Sequence, residues 1–269
     1  MSTPPPTRPP YRYAERPPTA AIAPWVLSLW SFQADTTPPP DEPYTVWPDG
    51  CASVALARDA EGARLLGIGP RLTAMRPPVA AGRRIWGFRL WPDAIMQVLG
   101  IPARPFRDRI DVAPPGIAAR LGDLDAIIPQ TDDVDLALGA LTAWLAERLV
   151  GCPAPDPRIR AAVRAIVAGR GEVAMSEVAR AANLGLRHLQ RRFPDATGLT
   201  LREFARVRRL REALARRLAD GREGWSRVAA ETGFVDHAHL TREFVALTGA
   251  TPSRAGRRLD ATQHDTVVP

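Results

Sequence analysis

The stretch Met175-Ser176-Glu177-Val178-Ala179-Arg180-Ala181-Ala182-Asn183-Leu184-Gly185-Leu186-Arg187-His188-Leu189-Gln190-Arg191-Arg192-Phe193 reads as a short helix, a tight turn and a second helix. A stretch of the same form, Val228-Ala229-Ala230-Glu231-Thr232-Gly233-Phe234-Val235-Asp236-His237-Ala238-His239-Leu240-Thr241-Arg242-Glu243-Phe244, follows about 50 residues later. In each, a small Ala sits at a packing position of the first helix, and the second helix places a Leu and a Phe four residues apart on one face. The opposite face is polar and basic, as a helix entering a DNA major groove must be. Two such units in register, with a helical connector between them, are far more specific than one.

The connector is Leu201 to Ala219. Thr200-Leu201-Arg202-Glu203 has the form of a capping box at its start, and Gly221 is placed to close its end. About 19 residues at roughly 1.5 Å each span near 28 Å, against about 34 Å for one turn of B-DNA. A rigid helix of that length can hold two recognition helices over successive major grooves.

Charge agrees with this reading. The chain carries +7, and the basic excess is confined to one part. From Arg158 to Arg258 there are 21 Arg against 10 acids, whereas residues 1–157 hold 15 Arg against 17 acids. Every basic residue is Arg, which points to a composition bias, but such a bias acts on both halves and leaves their asymmetry intact. A polyanionic partner is implied for the second half.

Outward from there, Gly151-Cys152-Pro153-Ala154-Pro155-Asp156-Pro157 reads as a linker. Asp156-Pro157 also starts a helix, with Asp as cap and Pro in the first turn. Residues 1–18 are Pro-rich and predict a disordered segment; residues 259–269 predict a disordered tail. Between lies a domain over residues 19–150. Its candidate strands are Val26–Ser31, Ala52–Ala57, Arg64–Ile68 and Arg84–Leu90, with a short helix over Pro92–Leu99. Pro48-Asp49-Gly50 is a turn. Five of the seven tryptophans, Trp25, Trp30, Trp47, Trp86 and Trp91, fall here and form either core or a ligand pocket. Val134–Val150 reads as an amphipathic helix capped by Asp132 or Asp133. It either packs on its own domain or pairs with a second copy of the chain. The fold class expected is an α+β N-terminal domain, residues 19–150, joined by linker 151–157 to an all-α domain, residues 158–258. The latter holds two helix-turn-helix units joined by a long helix.

Residues Arg158 to Arg257 resemble the DNA-binding domain of the AraC/XylS family of bacterial transcription regulators. The resemblance is carried by Val178-Ala179, His188-Leu189-Gln190-Arg191-Arg192-Phe193, Thr197-Gly198, Arg209-Leu210 with Ala213, and Val228-Ala229. It continues through Thr232-Gly233-Phe234, Asp236, Arg242 with Phe244, Gly249 and Thr251-Pro252. It implies that two helix-turn-helix units bind adjacent major grooves. It places Arg187, Gln190 and Arg191 on the first recognition helix and His237, Ala238, Thr241 and Arg242 on the second, with His239 near the DNA backbone. Arg206, Arg208 and Arg209 on the connector are candidates for phosphate contacts, or else for packing. The chain departs from the family at Gly185, where Ser is usual, at Asn183, where Gly is usual, and at Ala255-Gly256, where Tyr-Arg is common. The N-terminal part is similar to the domain of a subset of the family, through Trp47-Pro48-Asp49-Gly50-Cys51, Gly69-Pro70-Arg71, Gly87-Phe88-Arg89 and Leu99-Gly100.

An enzyme is the first rival reading. The four histidines, His188, His237, His239 and His264, all lie outside the N-terminal domain, so a His-ligated metal site there is excluded. Cys51 and Cys152 are too few for a four-thiolate zinc or a disulfide framework. No phosphate loop or nucleophile elbow is present. Asp108 with Asp111, and Asp132 with Asp133 and Asp135, sit near helix starts and read as caps. Cys51, flanked by Ala52, Val54 and Leu56, reads as a packed thiol. The reading is therefore a cytoplasmic, non-enzymatic regulator with no metal and no cofactor. Its partner is double-stranded DNA and not a membrane. RNA polymerase, a small apolar effector and a homodimer mate are candidate partners. The alternative is a non-sensing DNA-binding protein without effector control.

Overall fold

The computed structural model describes residues 11–37, 44–112, 115–121, 123–220 and 223–255. The N-terminal part is built on a sheet of β1 (Tyr11–Arg16), β2 (Val26–Ala34), β3 (Ser53–Asp59), β4 (Gly62–Ile68), β5 (Arg84–Leu90) and β6 (Ile110–Val112). The strand order is β1-β2-β5-β3-β4-β6, antiparallel throughout. Strand alternation sorts the side chains. Leu29, Phe88, Trp86, Val54 and Leu56 share one face, while Trp30, Phe32, Ile85, Arg89, Ser53 and Leu66 share the other.

The first face is covered by helices. A 3-10 turn over Pro92–Ala94 leads into α1 (Ile95–Leu99), followed by α2 (Ala103–Phe106), α3 (Pro115–Leu121), α4 (Leu124–Ile127) and α5 (Val134–Arg148). The Asp133 carboxylate caps α5 by accepting from the Asp135 and Leu136 N–H groups. Leu138, Leu141 and Leu145 of α5 are buried in one core with Val54, Phe88 and Leu90. The option that α5 forms a dimer seam through these leucines is thereby corrected. A stripe of that width can be covered by a sheet as well as by a second helix, and here the sheet covers it.

The Pro-rich reading of residues 1–18 is corrected in its second half. Tyr11–Arg16 is β1, paired along its length with β2. Tyr11 packs against Phe32 at 5.6 Å and Tyr44 at 4.9 Å between ring centroids, and this aromatic burial outweighs the Pro-rich context. Residues 1–10 and 256–269, on which the rest of the disordered-ends expectation falls, lie outside the described residues, as does Gly221.

The second part is helical: α6 (Pro157–Ala168), α7 (Met175–Ala181), α8 (Leu186–Thr197), α9 (Leu201–Ala219), α10 (Trp225–Glu231) and α11 (His237–Thr248). Asp156 caps α6 with Pro in the first turn. The Thr200/Glu203 capping box closes the start of α9 in both directions.

The two parts share their packing. Trp47 is buried in the core made by Leu210, Leu214, Leu240 and Phe244. The Ala74 N–H donates to the Leu247 carbonyl at 2.7 Å, and Arg76 donates to the Thr248 carbonyl at 2.8 Å. Arg107 forks onto both oxygens of Glu203 at 3.0 Å, and Arg160 meets the fully buried Asp93 at 2.6 Å. Two glycines permit the closest approaches. Gly50, at φ +73, leaves the space a Cβ would take 2.7 Å from the Phe204 ring, and Gly198, at φ +79, does the same 2.5 Å from Pro70.

Candidate nucleic-acid interface

Each helix-turn-helix unit is assembled by the small and apolar residues that the pattern singled out. In the first, Val178 and Ala179 of α7 and Leu189 and Phe193 of α8 are buried in one core with Phe204. The turn is made by Asn183 at φ +49, a left-handed conformation that Asn tolerates. Gly185 precedes α8 without a side-chain cap. In the second unit, Val228 and Ala229 of α10 pack with Leu240 and Phe244 of α11. The turn uses Gly233 at φ +70, and the Asp236 carboxylate accepts from the His239 N–H at 2.6 Å to cap α11.

Helix α9 belongs to both units. Leu201, Phe204 and Ala205 enter the first core, and Leu210, Ala213 and Leu214 the second. Arg209 ties them across the middle. It donates to the Gly171 carbonyl at 2.9 Å and the Gly233 carbonyl at 3.3 Å, and lies over the Phe234 ring at 5.7 Å. Arg206 forks onto Glu243 of α11 at 2.7 and 3.2 Å. Arg208 is largely buried, and burial followed by neighbouring Arg211 pulls its pKa below the usual range. Of the two readings of these connector arginines, packing is the one observed.

The outer faces of α8 and α11 differ from that interior. Arg187, Gln190 and Arg191 are exposed on α8, and His237, Ala238 and Arg242 on α11. Among the described residues, Arg187, Arg191 and Arg242 make no ion pair, although acids engage many other arginines of the chain. Two candidates sit differently. His239 is half-buried, with Nδ1 accepting from the Val235 N–H at 3.2 Å and its ring edge-on to Phe234, so it braces the turn. Thr241 is half-buried with its hydroxyl out of solvent.

The second sheet face carries a partly open cavity of about 420 Å³, lined by the sheet, by loops and by Arg211 of α9. Its walls are mainly apolar, with Trp30, Phe32, Trp47, Leu66 and Ile85 prominent. Gly87 on β5 is the position over which the Trp30 ring lies; a Cβ there would sit 2.8 Å from it. The N-terminal tryptophans thus divide: Trp86 is core, while Trp30 and Trp47 line the cavity. Polar atoms are few. Arg89 bridges Glu15 and Asp49, each at 2.8 Å. The Cys51 thiol is buried against the same loop, and burial pushes its pKa far up, so it is a packed thiol rather than a reactive one. Sequence reasoning offered a ligand pocket among these tryptophans as one of two options but could not assemble its lining, which runs from Tyr13 to Arg211. One signal was present: Arg211 falls on the inward phase of α9, with Phe204, Val207 and Leu214, where an apolar residue is expected.

Among the described residues, no cluster of His, Cys, Asp or Glu could hold a metal, and no helix is long and apolar enough to cross a membrane. Residues 178–258 match the profile of a helix-turn-helix domain, and residues 14–110 that of a domain of unknown function, DUF6597. No curated protein matches the chain. Among solved structures it is similar to ToxT from Vibrio cholerae O395, at 10% identity and TM-score 0.45, covering 93% of this chain and 98% of that one. It is also similar to unsaturated fatty acid bound wild-type ToxT from Vibrio cholerae strain SCE256, at 8% identity and TM-score 0.44, covering 94% and 97%. With two helix-turn-helix units on one connecting helix, and the matched domain over residues 178–258, the second part of the chain is a DNA-binding helix-turn-helix domain of the AraC type found in transcription regulators.

Proposed function

We propose that the chain reads two adjacent major grooves of one duplex and that a small apolar effector in its N-terminal cavity controls this reading. The carrying observation is the pair of exposed faces, Arg187, Gln190 and Arg191 on α8 and His237 and Arg242 on α11, on the two units that share the 19-residue α9. Arginines without an intramolecular carboxylate are available to meet guanine O6 and N7 or a phosphate. Gln190 suits adenine. His239 and Thr241 act from behind, holding the turn and the helix.

Control follows from where the cavity lies. Its wall includes Trp47, which is also part of the second unit's core, and Arg211 of α9. A molecule that binds there touches the framework that spaces the two recognition helices. Aromatic and aliphatic walls with few polar groups suit an apolar ligand.

Footprinting of the full chain on fragments selected from genomic DNA tests the reading. Protection is expected over roughly two helical turns, about 20 bp, on one duplex face. Protection of a single groove, or a strict need for a symmetric site, overturns the one-chain, two-groove arrangement. A library of apolar compounds that leaves both the footprint and thermal stability unmoved supports the non-sensing alternative.

A further inference from the structure

The cavity holds an unbalanced charge. Arg211, 5% exposed, lines it from α9 and makes no ion pair among the described residues. Its Nε is out of solvent and without a hydrogen-bond partner. The carboxylates beside the cavity are already engaged. Glu15 gives one oxygen to Arg89 at 2.8 Å and the other to the Tyr13 hydroxyl at 3.0 Å. Asp49 gives one to Arg89 and the other to the Cys51 N–H, both at 2.8 Å. The cluster of Arg89, Arg208 and Arg211 therefore faces Glu15 and Asp49, each bonded to groups other than Arg211, with Glu212 near Arg208 paired to Arg170. Burial, and after it Arg211, weaken the hold of Arg208 on its proton and outweigh the opposing pull of Asp49 and Glu212.

A buried guanidinium without a counter-charge is unfavourable unless an anion completes it. The rest of the wall is mainly apolar, and its other arginines are engaged: Arg64, Arg83 and Arg89 by carboxylates and Arg71 by the Thr73 and Asp108 carbonyls. We infer that the effector is an apolar monocarboxylate, its body against Trp30, Phe32 and Ile85 and its carboxylate paired with Arg211. This inference rests on the reading of the cavity as an effector site and adds the chemistry of the head group. It also gives the head a mechanical address. Arg211 follows Leu210 and precedes Ala213 and Leu214, all in the core of the second helix-turn-helix unit. A carboxylate held there is fixed to the connector helix, while its tail is fixed to the sheet.

The test uses the full chain and paired probes of equal apolar bulk: decanoate against decanol, and naphthoate against naphthalenemethanol. Trp30 and Trp47 lie in the wall, so tryptophan fluorescence reports occupancy, with calorimetry as a second measure. In the unaltered chain each acid is expected to bind about tenfold or more tightly than its alcohol. Arg211→Met should abolish that preference while keeping alcohol binding, and Arg211→Lys should retain most of it. Equal binding of acid and alcohol overturns the role given to Arg211 and leaves the apolar cavity standing. No binding of any probe overturns both. If Arg211→Met does not fold, Arg211→Gln makes the same comparison; Arg71→Met, which removes another wall arginine, should leave the acid preference intact, and its loss there would overturn the role given to Arg211.

Discussion

At the scale of single residues, the arginines sort themselves by what they touch. Arg206 and Arg209 are occupied within the fold, whereas Arg191 and Arg242 face outward with no acid to hold them. Replacing either of the latter with Ala should cost roughly 1–3 kcal/mol of discrimination at its own base positions. Competition binding with singly substituted duplexes measures this; equal loss on specific and random DNA would make that Arg a phosphate contact. The structure places these two motif positions on exposed helix faces. Motif position alone could not separate Arg206 and Arg209 from them, because the acid and carbonyls that engage them come from Glu243, Gly171 and Gly233 on other segments. Gly50 makes a second prediction. At φ +73 with the Phe204 ring 2.7 Å from a would-be Cβ, Gly50→Ala adds backbone strain to a clash. A loss of about 1–3 kcal/mol in thermal unfolding is expected, and an unchanged midpoint would contradict the close approach.

At the scale of elements, caps and alternation made most helices and the four central strands readable: Asp156 before α6, Thr200 with Glu203 before α9, and the full extent of β5. β1 was hidden by the prolines that flank it, and β6, three residues long, is too short to show a period. For α5 the periodicity was plain but not what covers it, since a stripe of leucines looks alike to a sheet and to a partner helix. Because Leu141 and Leu145 are fully buried, changing both to Asp should unfold the N-terminal domain rather than release monomers. A folded variant by circular dichroism with a lower mass by light scattering would refute the assignment. The start of α9 carries a pH dependence. Burial raises the Glu203 pKa, but the Thr200 N–H and the Arg107 guanidinium outweigh it and hold the carboxyl below its ordinary range. A depressed carboxyl stabilises the fold above its unfolded pKa, about pH 4, and loses that contribution as pH falls through the folded value. Glu203→Gln should therefore lower the melting temperature at neutral pH, with the gap to the unaltered chain closing on acidification below pH about 4. A gap that persists unchanged in acid would assign the loss to shape and not to charge.

At the scale of the whole molecule, the linker at Gly151–Asp156 marks where the chain passes between domains but not where packing ends. The make-up of the cavity wall was illegible for the same reason, since Arg211 reaches it from α9, beyond the linker. A fragment beginning at Asp156 should bind DNA less stably than its motifs promise and should bind a hydrophobic dye, because it leaves Leu210 and Leu214 bare where Trp47 had covered them. A fragment as heat-resistant as the full chain would argue against this shared core. Trp47 also bears on engineering. A biosensor builder would splice a foreign sensing module at Gly151, where the composition invites a cut. The hybrid would inherit a tryptophan-sized hole beside α9, a defect on the scale of about 3–5 kcal/mol. Grafts that carry the 46–51 loop and the 70–76 segment along with α9 avoid that hole, so the exchangeable cassette in this protein is a three-dimensional patch and not a length of sequence.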